Sequence, residues 1–330
     1  MKISLIGAGA WGTAFALHLA RTGEEVLLWV FEKELFEIAG KTKENAYYLP
    51  GFTLPDNVTF TDNIKDIPEF SDDIIFAPPS FALRKTAAMI SEDLTGKRLL
   101  ILTKGIENGT SLFMSGVVEE VALGKAGIAS LSGPSFAREV AEGLFTSTVI
   151  ASKDKGLSLY FQKIIHSNTF RVYTSDDISG VELGGAMKNV MAIGAGIIQG
   201  LNLGANTLAA YITRSLAEMK RLGRSFGARE TTFMGLSGMG DLLLTSYGKL
   251  SRNRLFGMEL SQGKNAEDVI RNQKSVVEGY YTVKAAYNLS RKLNVEMPIT
   301  EELYKIIYEG KNIQASLQDI ISREYKEEDQ

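Results

Sequence analysis

What most constrains this 330-residue chain is a glycine cluster set between a strand and a helix near its start. The short apolar run Ile3 to Ile6 leads directly into Gly7-Ala8-Gly9-Ala10-Trp11-Gly12, and a helical pattern then continues through Leu19. In that setting each glycine has a separate task. Gly7 permits the tight turn, Gly9 lets the backbone approach a pyrophosphate, and Gly12 lets helix and strand pack closely. The helix start turns free N–H groups and the positive end of its dipole toward the phosphates. The three glycines alone are a weak signal, since a plain structural turn uses the same residues. Context strengthens them: Gly23 stops the helix, and a second apolar strand, Val26 to Val30, follows within about 30 residues of the first. That strand runs on into Phe31 and Glu32. An acidic side chain there accepts hydrogen bonds from the adenosine ribose and repels a 2′-phosphate, so Glu32 favours NAD over NADP. Glu32 beside Lys33 also reads as an ordinary solvated side chain, and Phe31 either stacks on adenine or caps the core.

Further short apolar runs, Ile74 to Ala77, Leu99 to Leu102 and Ile128 to Leu131, recur at helix-length spacing. Val149, Ile150 and Phe170 to Tyr173 extend the series. Strands separated by helix-length intervals predict a parallel, doubly wound sheet of βαβ units. From about residue 179 the pattern becomes helical, which predicts an α/β chain with a dinucleotide-binding Rossmann domain over 1–178 and an all-helical substrate domain over 179–330. The charged tail Ser322 to Gln330 is expected to fray.

Composition removes whole classes of function. A net charge of −3 offers no basic field to nucleic acid or to an anionic membrane surface. Cysteine is absent, which excludes disulfide scaffolds, cysteine nucleophiles and thiolate metal sites, and fits a reducing, cytoplasmic setting. With His18 and His166 as the sole histidines, no multi-histidine metal site can form, and no metal is expected. The N-terminal run with Ala14-Phe15-Ala16 superficially suits a secretory signal, but the same residues spell the glycine fingerprint. Asn189 to Thr213 carries no charge, yet its Asn, Gln and Gly content argues for a helix buried in protein and against membrane insertion.

Between Ile178 and Thr213 the only charged side chains are Glu182 and Lys188. On one helix, Lys188 shares a face with Gly184, Gly185, Ala192 and Ala195, small neighbours that leave space above the lysine for a substrate. A desolvated ammonium has a lowered pKa, suited to proton transfer with a reacting oxygen near neutral pH. The alternative is a lysine snorkelling out of a buried helix. Polar residues also gather in glycine-rich loops: Thr103-Lys104-Gly105 and Ser132-Gly133-Pro134-Ser135-Phe136-Ala137, each after a strand, and Gly238-Met239-Gly240-Asp241 and Ser251-Arg252-Asn253-Arg254 in the helical half. Arg252 beside Ser251 and Asn253 suits a phosphate cradle, while Asp241 also reads as an N-cap for the helix that follows.

The strings GAGAWGTA (Gly7 to Ala14), TKG, SGPSFARE, ELGGAMKNV, GLSGMGDLLLT, SRNR and VVEG occur in consistent order from Lys2 to Gly310. With them the chain resembles the NAD(P)-dependent glycerol-3-phosphate dehydrogenases of the soluble bacterial type. The resemblance implies reversible reduction of dihydroxyacetone phosphate to sn-glycerol 3-phosphate for phospholipid synthesis, with the active site between the two domains. A homodimer is compatible with it. Carried over by position, Lys188 would donate the proton, Lys104 would bind substrate and lie near the nicotinamide, and Asp241 would orient the lysine and the substrate. Gly133, Ser135, Asn189, Ser251, Arg252 and Asn253 would bind substrate. Gly7, Gly9, Ala10, Trp11, Gly12, Phe31, Glu32, Lys104, Ala137, Arg252, Val276 and Glu278 would line the cofactor site. One position departs from the pattern. Many bacterial relatives carry a basic residue where this chain has Phe31, so the resemblance here is to the NAD-using eukaryotic relatives. A β-hydroxyacid dehydrogenase would share the two-domain plan and a lysine after paired glycines, but SRNR and SGPSFARE speak against it. A non-catalytic dinucleotide sensor would have no need of Lys188, Asp241 and Arg252 together.

Overall fold

Apolar strands without polar alternation must be covered on both faces, and in this chain helices cover both. The structure, a computed structural model, describes residues 1–273, 275–324 and 327–328. Its first half runs β1 (Lys2–Ile6), α1 (Ala10–Arg21), β2 (Glu25–Trp29), α2 (Lys33–Thr42), β3 (Val58–Thr61), α3 (Asp66–Phe70), β4 (Asp73–Phe76), α4 (Ser80–Ala88), β5 (Arg98–Ile101), α5 (Met114–Val121), β6 (Gly127–Ser132), α6 (Ala137–Glu142), β7 (Thr146–Ala151), α7 (Lys155–Ile165) and β8 (Phe170–Ser175). Helices then follow without further strands among the described residues: α8 (Ile178–Gly200), α9 (Gly204–Arg224), α10 (Glu230–Phe233), α11 (Asp241–Tyr247), α12 (Arg252–Ser261), α13 (Ala266–Asn272), α14 (Glu278–Leu293), α15 (Pro298–Tyr308) and α16 (Ile313–Ile321). The doubly wound α/β sheet followed by a helical domain is therefore the fold adopted. Within the tail, Tyr325, Lys326, Asp329 and Gln330 lie outside the described residues.

The eight strands lie in the order β3-β2-β1-β4-β5-β6-β7-β8. The order reverses between β1 and β4, and the crevice beyond such a reversal is where open α/β sheets bind ligands. Two details differ from the sequence expectation. β3, with the sequence VTFT, is half polar because it is the sheet's edge strand, so it lacked the apolar signature of its neighbours. The sheet is also not wholly parallel, since β7 pairs antiparallel with β6. The link carrying α6 stays at the carboxyl edge and does not cross back over the sheet, which keeps residues 133–137 at the ligand-binding edge.

α8 is the axis of the helical domain. It is the one helix among the described residues long and apolar enough to cross a membrane, yet its most apolar window is 94% buried inside the protein. Its glycines permit close helix contact: a Cβ at Gly196 would sit 2.0 Å from the Arg254 carbonyl oxygen of α12. The uncharged stretch Asn189–Thr213 is not one buried helix, however. Asn202 (φ 55°) and Gly204 (φ +86°) turn the chain, and the first part of α9 exposes Ala205, Asn206, Thr207, Ala209 and Ala210. Uncharged residues do not have to be buried, and here the turn carries about a third of them to the surface.

Glu218 of α9 supplies the N-terminal cap that α15 lacks from its own N-cap residue. Its carboxylate accepts from Ile299 N at 2.5 Å, Thr300 N at 3.2 Å and Thr300 Oγ1 at 3.0 Å. Burial pushes this carboxyl up to about 7, against the pull of those donors. Glu218→Ala is expected to cost about 2–4 kcal/mol by leaving buried donors unpaired. The raised pKa also means that Glu218 stabilises the fold most below its unfolded value and loses that contribution as pH rises through about 7. Glu218→Gln should therefore flatten the stability profile between pH 4.5 and 7, as chemical denaturation across that window would reveal.

Candidate active site

The cleft lies where α8 packs against β6 and the segments after β4 and β5 meet α14 and α11 through Ser80–Glu278 and Lys104–Asp241. At β1 the glycine loop has the shape its residues predict. Gly7 sits at φ +111°, and a Cβ there would lie 2.8 Å from the Ala77 carbonyl carbon beyond β4. A Cβ on Gly12 would meet the Gly7 oxygen at 1.9 Å, whereas one on Gly9 would meet nothing. The open side of the loop is thus at Gly9, which leaves room there for a pyrophosphate. Gly9 caps α1 with no side-chain bond, so the first N–H groups, from Ala10 onward, stay available to an anion. The Trp11 indole N–H is buried there without a partner. These features fit a dinucleotide.

Phe31 is 73% exposed and meets Trp29 edge-on at 5.8 Å, which excludes a core cap and leaves its face free for a planar ligand. Glu32 precedes α2 and accepts a 2.7 Å hydrogen bond from the Tyr48 hydroxyl, so it is not simply a solvated side chain. Ala137 opens α6 and packs against the Rossmann core, whereas across the cleft Val276 lies in the loop before α14 and Glu278 opens α14. Glu278 accepts from Ser80 N at 3.0 Å and Ser80 Oγ at 2.5 Å, joining the helical domain to the start of α4. Burial pushes its carboxyl up, against Ser80 and Arg252.

The centre of the cleft holds two lysines on one carboxylate. Asp241 is buried, with Oδ2 2.6 Å from Lys104 Nζ and Oδ1 3.1 Å from Lys188 Nζ. Lys104 also donates to the Gly133 carbonyl oxygen at 3.1 Å, and Lys188 donates to Thr245 Oγ1 at 2.9 Å. A π-helical turn, Leu236–Gly240, delivers Asp241 to this place. Gly184 and Gly185 make room, because a Cβ at either would run into Ser237 or into Ser132 and the Lys104 stem. Burial lowers Lys188 to about 8, with Lys104 and Arg252 adding repulsion and Asp241 opposing the shift. Burial alone would raise Asp241, but the two ammonium groups outweigh it and hold the carboxyl below its usual value. The arrangement can present one proton at Lys188 while Asp241 and Thr245 fix the amine's direction.

The remaining residues expected from the sequence divide into three groups. Asn189 and Asn253 meet directly at 2.8 Å, and Asn253 Oδ1 accepts from Gly279 N at 2.8 Å, locking α8, α12 and α14 together. Arg252 opens α12 with its side chain exposed to solvent at the cleft, where its charge acts on Lys188 and the Glu278 carboxylate favours its charged form. The Ser251 hydroxyl accepts from Arg254 N at 3.2 Å as the cap of α12, and the Ser135 hydroxyl donates to the Gly133 oxygen at 3.0 Å. Each of these two therefore already has a local partner.

Some participants were not singled out in the sequence. Thr245 stands four residues after Asp241, the spacing that shares a helix face, and that spacing was the available signal. Glu182, noted in the sequence only as the other charge near Lys188, accepts from Ser115 N at 2.9 Å, from the Ser115 hydroxyl and from Ser130 Oγ at 2.9 Å, seating α8 on α5 and β6. Ser80 and Tyr48 carried no motif. Among the described residues no group of three or more His, Asp or Glu side chains is gathered to hold a metal ion.

Comparison with known proteins agrees with this geometry. Residues 2–158 match the sequence model of the NAD-dependent glycerol-3-phosphate dehydrogenase N-terminus, and residues 177–318 match that of its C-terminus. The chain is 45% identical over 333 residues to a glycerol-3-phosphate dehydrogenase [NAD(P)+] of Syntrophotalea carbinolica, covering 99% of each chain. It is 44% identical to the Geobacter sulfurreducens protein of the same name, covering 99% of this chain and 98% of the other. A crystal structure of glycerol-3-phosphate dehydrogenase from Coxiella burnetii superposes with a TM-score of 0.94 at 37% identity, over 98% of this chain and 99% of that one. With both halves matched and the cleft between them built as described, this chain belongs to the NAD-dependent glycerol-3-phosphate dehydrogenase family.

Proposed function

We propose that the protein reversibly reduces dihydroxyacetone phosphate to sn-glycerol 3-phosphate with a nicotinamide dinucleotide, Lys188 being the proton donor. The observation that carries this reading is the pair of lysines on buried Asp241, one of them lowered to about 8. The hydride for the ketone carbon comes from the reduced nicotinamide when it is bound. Lys188 protonates the developing alkoxide and takes the proton back in reverse. Asp241 cancels one of the two ammonium charges, so the cleft keeps a net positive charge for a phosphorylated substrate. Lys104 holds the substrate oxygen from the Rossmann side. Arg252, with Asn253 and Asn189 beneath it, anchors the phosphate and so orients the carbonyl.

Residues 1–178 carry the cofactor in this reading and 179–330 carry the substrate. Phe31 and Glu32 favour NAD over NADP. A cytoplasmic location, supply of phospholipid synthesis and a homodimer belong to the same proposal.

Loss of reduced-nicotinamide absorbance after adding dihydroxyacetone phosphate tests the reaction, with NADH and NADPH in parallel. Consumption with NADH faster than with NADPH is expected, and no consumption with either by folded, NADH-binding protein would reject the assignment. The lowered Lys188 also sets the pH dependence. Reduction needs the ammonium form, so kcat should fall as pH rises through about 8. Oxidation needs the free amine, so its kcat should rise through the same range. A profile flat across that range in both directions would exclude Lys188 as the donor.

A further inference from the structure

A segment outside every motif, residues 45–49, joins the two ends of the dinucleotide cradle. Asn45 is buried, and its Nδ2 donates to the Ala8 carbonyl oxygen and to Thr13 Oγ1, both at 2.7 Å, so it grips the glycine loop and the helix after it. Asn45 Oδ1 accepts from Tyr48 N at 3.0 Å, and the Asn45 carbonyl oxygen accepts from Leu49 N at 3.0 Å. Leu49 is buried in the core beneath. Tyr48 is thereby held so that its hydroxyl donates to Glu32 Oε1 at 2.7 Å.

We propose that Asn45 and Tyr48 form a clip that immobilises Glu32, which makes Tyr48 a positioning residue for discrimination against an adenosine 2′-phosphate. The inference rests on the reading of the chain as a nicotinamide-dinucleotide enzyme. A glutamate at the end of a strand has several rotatable bonds and can swing away from an incoming phosphate at little cost, so its charge alone discriminates weakly. A phenolic hydrogen bond to a carboxylate is charge-assisted and directional. It removes that escape by holding one oxygen, while the other stays available to accept from ribose hydroxyls. Glu32 has no ion pair among the described residues, so no cation neutralises the charge that a 2′-phosphate would meet. Phe31 beside it offers an apolar face with no group to bind a phosphate. The clip also ties this discrimination to the pyrophosphate cradle, because one turn of chain holds both Ala8 and Glu32.

The test is equilibrium binding of NADH and of NADPH to the full chain, read by nicotinamide fluorescence, in wild type, Glu32→Gln, Tyr48→Phe and the double variant. Glu32→Gln should improve NADPH affinity relative to NADH by about tenfold, since it removes the facing charge. Tyr48→Phe should shift the same ratio about three- to fivefold, and should add nothing in the Glu32→Gln background, because the two act as one unit. A Tyr48→Phe ratio within about twofold of wild type would overturn the proposal, as would an equal shift with and without Glu32. If Tyr48→Phe fails to fold, Glu32→Asp serves instead. It keeps the charge, is one methylene too short to reach the hydroxyl, and should shift the ratio to a similar extent; an unchanged ratio would overturn the clip. Binding ratios that shift as expected in a protein unable to reduce dihydroxyacetone phosphate would uphold the clip and reject the proposed reaction.

Discussion

Lys188→Ala is expected to lower kcat about a thousandfold while the protein remains folded. The magnitude is that of general acid catalysis, about 10²–10⁴, since the loss removes the proton without removing the substrate's other contacts. The fold should survive because Asp241 keeps Lys104 at 2.6 Å and is not left as a bare buried charge. Burial already disfavours the Lys188 ammonium, so its removal relieves a cost as well as a contact. Saturating kinetics beside a thermal melt would check both parts. A near-native kcat would exclude Lys188 as the donor. A residual activity that still fell through pH 8 would move the donor to Lys104.

Arg252→Ala should act mainly on binding, raising KM for dihydroxyacetone phosphate about a hundredfold. A guanidinium–phosphate contact contributes roughly 2–3 kcal/mol, and every 1.4 kcal/mol is a factor of ten. Some loss of kcat should accompany it, because anchoring the remote phosphate is also what orients the carbonyl. Comparison with unphosphorylated dihydroxyacetone separates the two effects. The wild type should strongly prefer the phosphorylated ketone, and Arg252→Ala should narrow that preference. An unchanged KM would remove Arg252 from the anchor role.

Legibility in the sequence depended on how local each signal was. The glycine loop was readable because Gly7, Gly9 and Gly12 act within one turn of chain, and their backbone geometry bears this out. Lys188 stood out because the lone cation of a long helix with only one other charge, Glu182, has few explanations. Thr245 escaped notice because a threonine in a helix is common, and only the approach of α11 to α8 puts it 2.9 Å from the lysine. β3 was hidden for the opposite reason, as edge strands need not be apolar. The split of Asn189–Thr213 went unread because uncharged sequence is compatible with both burial and an exposed small-residue face.

Local patterning was enough to specify a Rossmann half followed by helices, an open glycine turn at Gly9 and an acidic side chain shortly after β2, at the start of α2. These follow from backbone sterics and the 2.0- and 3.6-residue periods, which act over a few residues at a time. Tertiary structure alone decided the rest: that Lys104, 137 residues before Asp241, shares its carboxylate with Lys188, that Ser80 meets Glu278, and that Tyr48 holds Glu32. A pKa near 8 at Lys188 has the same origin. It depends on desolvation and on charges brought together from distant parts of the chain, which no stretch of sequence contains on its own.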